Sequence, residues 1–79
     1  MNPRAKGVKP LSQYVLEVEF TSGEIRRFDM KALLHYPIYQ PLKEQSYFER
    51  VFVSGGIVQW PNEEDISPDL LYLDSREVA

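Results

Sequence analysis

Cysteine is absent from this 79-residue chain, which excludes disulfides, thiolate nucleophiles and every cysteine-based zinc or iron–sulfur centre. A secreted domain of this size usually needs such a staple, so the composition points to the reducing cytoplasm. Histidine is nearly absent too: His35 stands alone, which excludes a multi-histidine metal cluster within one chain. No apolar run approaches the roughly 20 residues that a bilayer-spanning helix requires, so no membrane span is expected. The basic start Met1-Asn2-Pro3-Arg4-Ala5-Lys6-Gly7 is not followed by the hydrophobic stretch of a signal peptide. Basic charge is also short, with nine basic against twelve acidic residues and a net charge of −3. Nucleic-acid binding through the whole surface is thereby disfavoured, because phosphate contacts need clustered Lys and Arg.

What remains is an ordinary globular composition, 43% hydrophobic and 27% charged, which does not fit intrinsic disorder. The length leaves room for one domain, and folding would bury only about 60% of its surface. So thin a core barely offsets the entropy of ordering the chain, and pairing with a second copy or another protein would relieve it.

Tyr14, Leu16, Val18 and Phe20 alternate with Glu17 and Glu19, the period of a strand with one face on a core. Thr21-Ser22-Gly23-Glu24 supplies a turn, and Ile25-Arg26-Arg27-Phe28 returns as the second arm of an antiparallel hairpin. Ile25 and Phe28 differ in parity, so either a bulge intervenes or one of them faces outward. Gly7-Val8-Lys9-Pro10-Leu11 suits a short edge strand, where a proline is tolerated. Asp29 is placed to cap a helix through Met30-Lys31-Ala32-Leu33-Leu34, which Pro37 stops near His35 or Tyr36. Short turns or one helical turn follow, with Ser46 as a cap for Tyr47-Phe48-Glu49. Arg50-Val51-Phe52-Val53 and Ile57-Val58-Gln59-Trp60, joined by Ser54-Gly55-Gly56, form a second hairpin. Ser67 caps a last helix with Pro68 in its first turn and Asp69 in the favourable field of its N-terminus. The expected architecture is α+β: an antiparallel sheet of four to five strands from two hairpins, with two short helices. Its division is a flexible segment 1–7, a single domain 8–74 and a tail 75–79.

The tail Trp60-Pro61-Asn62 … Asp65-Ile66-Ser67-Pro68-Asp69-Leu70-Leu71-Tyr72, with the Gly23 hairpin and the short helix after Asp29, resembles the bacterial DUF2442 family over roughly residues 8 to 74. The resemblance implies a small α+β domain of uncharacterised function. Some members lie beside toxin–antitoxin-type genes, and others are fused to a helix-turn-helix domain, for which a chain ending at Ala79 leaves no room. The family commonly has glycine after the asparagine of the turn, where this chain has Glu63. No catalytic residues are carried over.

Several groups are candidates for function. Glu63, Glu64, Asp65 and Asp69 concentrate negative charge, but their consecutive spacing suits a solvated acidic loop and helix start better than a cation site, so no metal is expected. His35 could serve acid–base chemistry, yet no orienting carboxylate or nucleophile stands in evident relation to it. Trp60, Asn62, Asp65, Asp69, Tyr72, Tyr36 and Tyr39 are the interaction candidates, with core packing the simpler reading of Trp60. Arg26, Arg27 and Lys31 form the central basic group and Arg4, Lys6 and Lys9 a second. Adjacent Arg26 and Arg27 would face opposite sides of a strand, which weakens any single basic face. Phosphate-loop, serine-elbow and zinc-protease motifs are missing, and no cofactor is expected. The leading expectation is a cytoplasmic protein-interaction or regulatory domain without catalysis, with a protein partner or self-association. An antitoxin-like or transcription-linked accessory protein is the second reading, with local nucleic-acid contact weakly supported, and an enzyme is the third.

Overall fold

A computed structural model describes residues 2–78, and Met1 and Ala79, the outer ends of the expected flexible segment and tail, lie outside the described residues. Strand β1 (Ala5–Leu11) runs into a 3-10 turn at Ser12–Tyr14, then β2 (Val15–Phe20) and β3 (Ile25–Asp29). A 3-10 turn at Met30–Leu33, another at Pro37–Lys43 and helix α1 (Gln45–Phe48) carry the chain to β4 (Phe52–Ser54) and β5 (Ile57–Gln59). Strand β6 (Asp65–Ile66), helix α2 (Pro68–Leu73) and β7 (Arg76–Glu77) complete it. The paired strands therefore reach past both ends of the 8–74 span, to Ala5 and to Glu77.

The class is α+β, and both expected hairpins are present. They belong to separate antiparallel sheets: a four-stranded one in the order β1-β2-β3-β7 and a three-stranded one in the order β4-β5-β6. Alternation explains how the sheets meet. Leu16, Val18 and Phe20 from β2 and Phe28 from β3 are fully or almost fully buried, as are Val58, Trp60 and Ile66 around the smaller sheet. Met30, Leu34, Leu42, Phe48 and Leu71 from the turns and helices belong to the same core. The parity conflict in β3 resolves without a bulge, because its five pairs with β2 run in unbroken register. Phe28 points in and Ile25 points out, 44% exposed.

Local details depart from the sequence reading where backbone geometry intervenes. Tyr14 is not a strand residue; Gln13 and Tyr14 both take positive φ, 60° and 61°, in the tight β1–β2 connection. Its ring still reaches the core, edge-on to Phe48 at 5.3 Å. Asp29 does cap the turn that follows, accepting from the Lys31 amide at 2.9 Å, but that turn is 3-10 and ends at Leu33. Helix α1 starts from Glu44 rather than Ser46, and no side chain caps it. Ser67 occupies the cap position of α2 without a side-chain cap bond. The glycine pair works as expected: Gly55 and Gly56 both take positive φ between β4 and β5, which glycine adopts without steric cost.

Candidate functional site

The four-stranded sheet has one face on the core and one in water, and β3 divides its side chains between them. Arg26 turns toward the core side. Its Nε donates to Ser75 Oγ at 2.7 Å, its Nη2 to the Ser75 carbonyl at 2.8 Å and its Nη1 to Glu24 Oε2 at 3.1 Å. The guanidinium also stacks on the Tyr72 ring, 4.7 Å from its centroid, and the Tyr72 hydroxyl donates to Glu24 Oε1 at 2.7 Å. That last bond is the main reason the Glu24 carboxyl is held below its ordinary pKa and the Tyr72 phenol is pushed above its own. The planar fork of arginine suits this task, since it fixes several acceptors at once. Here it fastens the short strand β7 and the end of α2 to the β2–β3 hairpin.

The outer face reads as three cross-strand rows. Gly7, Glu19 and Ile25 share the first row, and Val78 joins it through its amide, which donates to the Ile25 carbonyl at 2.9 Å. Lys9, Glu17, Arg27 and Arg76 form the second. Leu11, Val15 and Asp29 form the third, and Asp74 approaches it from the end of α2. Toward β1 the charges neutralise one another, with Lys6 beside Glu19 at 3.7 Å and Glu17 between Lys9 at 4.0 Å and Arg27 at 3.2 Å. Toward β7 they do so only in part: Arg27 has Glu17 and Asp29 has Lys31 at 3.1 Å, but Arg76 and Asp74 have no ion-pair partner among the described residues. Arg27 and Arg76 stand directly opposite each other, an arrangement that like charges disfavour.

A groove of about 740 Å³ opens along this half of the face. Val15, Phe28, Ala32, Leu33 and Val78 supply apolar lining, Arg27 and Arg76 positive charge, and Asp29, Asp74 and Glu77 negative charge. The 3-10 turn at Met30–Leu33 exists because Asp29 caps it, and it forms one wall.

Beside the smaller sheet, the acidic tail forms a different kind of structure. Trp60, 1% exposed, donates from Nε1 to the Phe48 carbonyl at 2.9 Å. The loop Pro61–Glu63 is closed by Trp60 N donating to the Glu64 carbonyl at 2.9 Å and Glu63 N donating to the Trp60 carbonyl at 3.0 Å. Glu63 there takes φ 76°, the left-handed conformation that favours glycine. The Tyr47 hydroxyl accepts from the Asn62 amide at 2.8 Å and donates to Glu64 Oε1 at 2.7 Å. Tyr39 donates to the Asp65 carbonyl at 2.7 Å. Burial first, then the neighbouring carboxylates, raises the pKa values of Tyr39 and Tyr47.

The interaction candidates are thus dispersed. Trp60 lies in the core, Tyr72 in the Arg26 cluster, and Tyr39 under the Asp65 backbone. Asn62, Asp65 and Asp69 are exposed, with Asp69 accepting from Asn2 Nδ2 at 3.2 Å. Tyr36, 49% exposed, lies beside the exposed His35 ring at 4.1 Å. The basic group is divided as well. Arg26 faces inward, Arg27 pairs with Glu17, and Lys31 pairs with Asp29 at 3.1 Å and donates to the Gln13 carbonyl at 2.6 Å. Glu64 is buried against Tyr47, so the acidic run does not converge, and no group of three or more His, Cys, Asp or Glu suited to a metal ion occurs among the described residues. Sequence reasoning missed the groove residues Val15, Ala32, Leu33, Asp74, Arg76 and Val78. Parity could have put Arg27 and Asp29 on one face, but nothing local to Asp74–Val78 announces that it pairs with β3.

Two small antiparallel sheets folded over one core, with short helical turns and a mixed-charge groove on the outer face, define a small α+β module. The chain belongs to the DUF2442 family of proteins of unknown function, whose family model matches residues 5–77. Neither the curated proteins nor the solved structures compared with it gave a match.

Proposed function

We propose that this is a cytoplasmic, non-catalytic protein-interaction domain with a regulatory output, docking partners on the outer face of its four-stranded sheet. The observation that carries the reading is the groove along β3 and β7. Apolar side chains there alternate with charges that find only part of their compensation inside the molecule. Interfaces draw on such a mixture: apolar contact for affinity and charge for register and partner choice.

The sheet edges support a face rather than an edge as the docking element. β1 carries Lys6, Lys9 and Pro10, and β7 is two residues long, both common ways of blunting an edge. The groove lining offers carboxylates and guanidinium groups but no histidine or hydroxyl nucleophile among the described residues, which favours binding over chemistry. The pairing of Arg27 and Lys31 with carboxylates favours protein over nucleic acid as the ligand. No helix among the described residues is long and apolar enough to cross a membrane.

The test is an NMR titration of ¹⁵N-labelled protein with an extract of its native host. Broadening concentrated at the amides of Arg27, Asp29, Ala32 and Val78 is the expected result. Broadening confined to the amides around Asn62 and Asp65, or groove amides that respond neither to extract nor to dilution of the pure protein, overturns the reading.

A further inference from the structure

The proposed docking face has an internal order that specifies one partner. We infer that the groove face pairs with the same face of a second copy of this chain, about a two-fold axis between its two charged rows. This rests on the reading of the groove as a docking face and names its occupant.

The order follows from antiparallel register. Arg27 lies opposite Arg76, so the residues two positions away fall into rows on either side. On one side is the apolar pair Ile25 and Val78, 44% and 38% exposed and joined by a backbone bond of 2.9 Å. On the other side Asp29 and Asp74 line the same groove, and beyond them the wall is apolar again at Ala32 and Leu33. Along β3 and β7 the face therefore runs apolar, positive, negative, apolar. Arg27 and Asp29 are partly compensated by Glu17 and Lys31, and Arg76 and Asp74 are in no ion pair among the described residues. Rotating a copy by half a turn about an axis between the charged rows sets each positive row on a negative row and each apolar end on an apolar end. A two-fold interface must be self-complementary in this sense, because each patch meets itself reversed.

The pattern also accounts for the cross-strand arginine pair. Within one chain Arg27 opposite Arg76 is a repulsive contact. In the pair of molecules the partner's Asp74 would face Arg76, the arginine in no ion pair among the described residues. A standard interface buries about 800 Å² per partner, about a sixth of the 4855 Å² this molecule exposes. Joining the copies would also supplement a core that chain length keeps small.

The experiment is sedimentation equilibrium of the full chain from micromolar to millimolar concentration, with three variants. The wild type is expected to approach twice its 9.2 kDa mass, with weaker association at high salt. Arg76→Asp places negative on negative and Asp74→Arg positive on positive, and each is expected to weaken association by about tenfold or more. Asp74 closes α2, where a cation is favourable, so that variant should keep its fold. The double exchange Asp74→Arg/Arg76→Asp reverses the sign order at the β7 side alone, so each exchanged residue still meets its opposite in the second copy, and recovery of association is the decisive result. A wild type that stays monomeric, or a dimer indifferent to all three variants, overturns the self-pairing. The extract titration then separates the two ideas. Groove broadening in extract with a monomeric pure protein retains the docking face and rejects the second copy, and loss of both rejects the face as well.

Discussion

In the loop Thr21–Gly23 the Phe20 amide donates to the Glu24 carbonyl at 2.9 Å and Gly23 N returns to the Phe20 carbonyl at 2.9 Å. The loop Pro61–Glu63 repeats the pattern with Trp60, Glu64 and Glu63. Both are three-residue hairpin connections whose last loop residue has positive φ. Each is preceded by a buried aromatic and followed by a glutamate that accepts from a tyrosine hydroxyl at 2.7 Å, Tyr72 in one case and Tyr47 in the other. They differ in how the load is shared. Glu24 is held by Tyr72, Ser22 and Arg26 together, whereas the buried Glu64 has Tyr47 as its side-chain partner. The first loop has glycine at the positive-φ position, and the second has Glu63. One backbone solution has thus been stabilised by redundancy in one place and by a single tyrosine in the other.

The aromatic anchors should give the largest effects. Phe20→Ala and Trp60→Ala each remove a fully or almost fully buried ring, a change that costs about 3–5 kcal/mol. A chain of this length has about 4–12 kcal/mol of total stability, so either loss takes about a quarter of it or more and should appear as a large fall in the urea midpoint. Trp60→Ala should be the worse, since it also removes the donor to the Phe48 carbonyl. A greater loss from Phe20→Ala would reverse the ranking of the two anchors.

The clasps come next. Tyr47→Phe leaves the buried Glu64 carboxylate and the Asn62 amide without their hydroxyl partner, at a cost of about 1–3 kcal/mol in urea unfolding. Tyr72→Phe should cost less, because Ser22 and Arg26 still serve Glu24. Equal losses would remove the contrast between shared and single support. The positive-φ position offers a reciprocal pair. Glu63→Gly relieves left-handed strain and should stabilise the chain by about 1 kcal/mol, while Gly23→Glu should destabilise it by about 1–2 kcal/mol. A destabilised Glu63→Gly variant would mean that the Glu63 side chain contributes more than its backbone conformation costs.

Much of the first loop was legible in the sequence because its flanks alternate with period two and a glycine marks the turn. The second was legible only in part. Trp60 and Val58 share parity, and both are buried as that parity requires, but β6 is two residues long and carries no period. The separation into two sheets depends on where the stretch between Leu34 and Val51 carries the chain, and its 3-10 turns are set by Pro37 and Pro41 rather than by a repeating apolar pattern. The groove is the least legible feature. Arg26 reads as half of a basic pair until Ser75, far along the chain, takes two of its donors. Arg27 and Arg76 become neighbours only through β7, which that same contact holds in place.

The smallest expected effect, and the one most specific to the comparison, is on the dependence of stability on pH. The Tyr72 phenol is raised above its ordinary pKa chiefly by its bond to Glu24, and Tyr47 chiefly by burial with Glu64 second. A raised phenol means that the folded state retains a proton the unfolded chain releases first. Its stabilisation is complete below the ordinary tyrosine value of about 10 and is lost as pH rises through the folded value. Glu24 is lowered, chiefly by Tyr72, so its contribution is present above the ordinary glutamate value of about 4.3 and is lost as pH falls through the folded value. Urea midpoints measured from acid to alkaline pH should therefore lose part of the alkaline decline in either tyrosine-to-phenylalanine variant. In Tyr72→Phe the acid decline should shrink as well, because the same hydroxyl sets both shifts. An acid limb unchanged in that variant would transfer the stabilisation of Glu24 to Ser22 and Arg26, and the two loops would then differ in their partners but not in their dependence on a tyrosine.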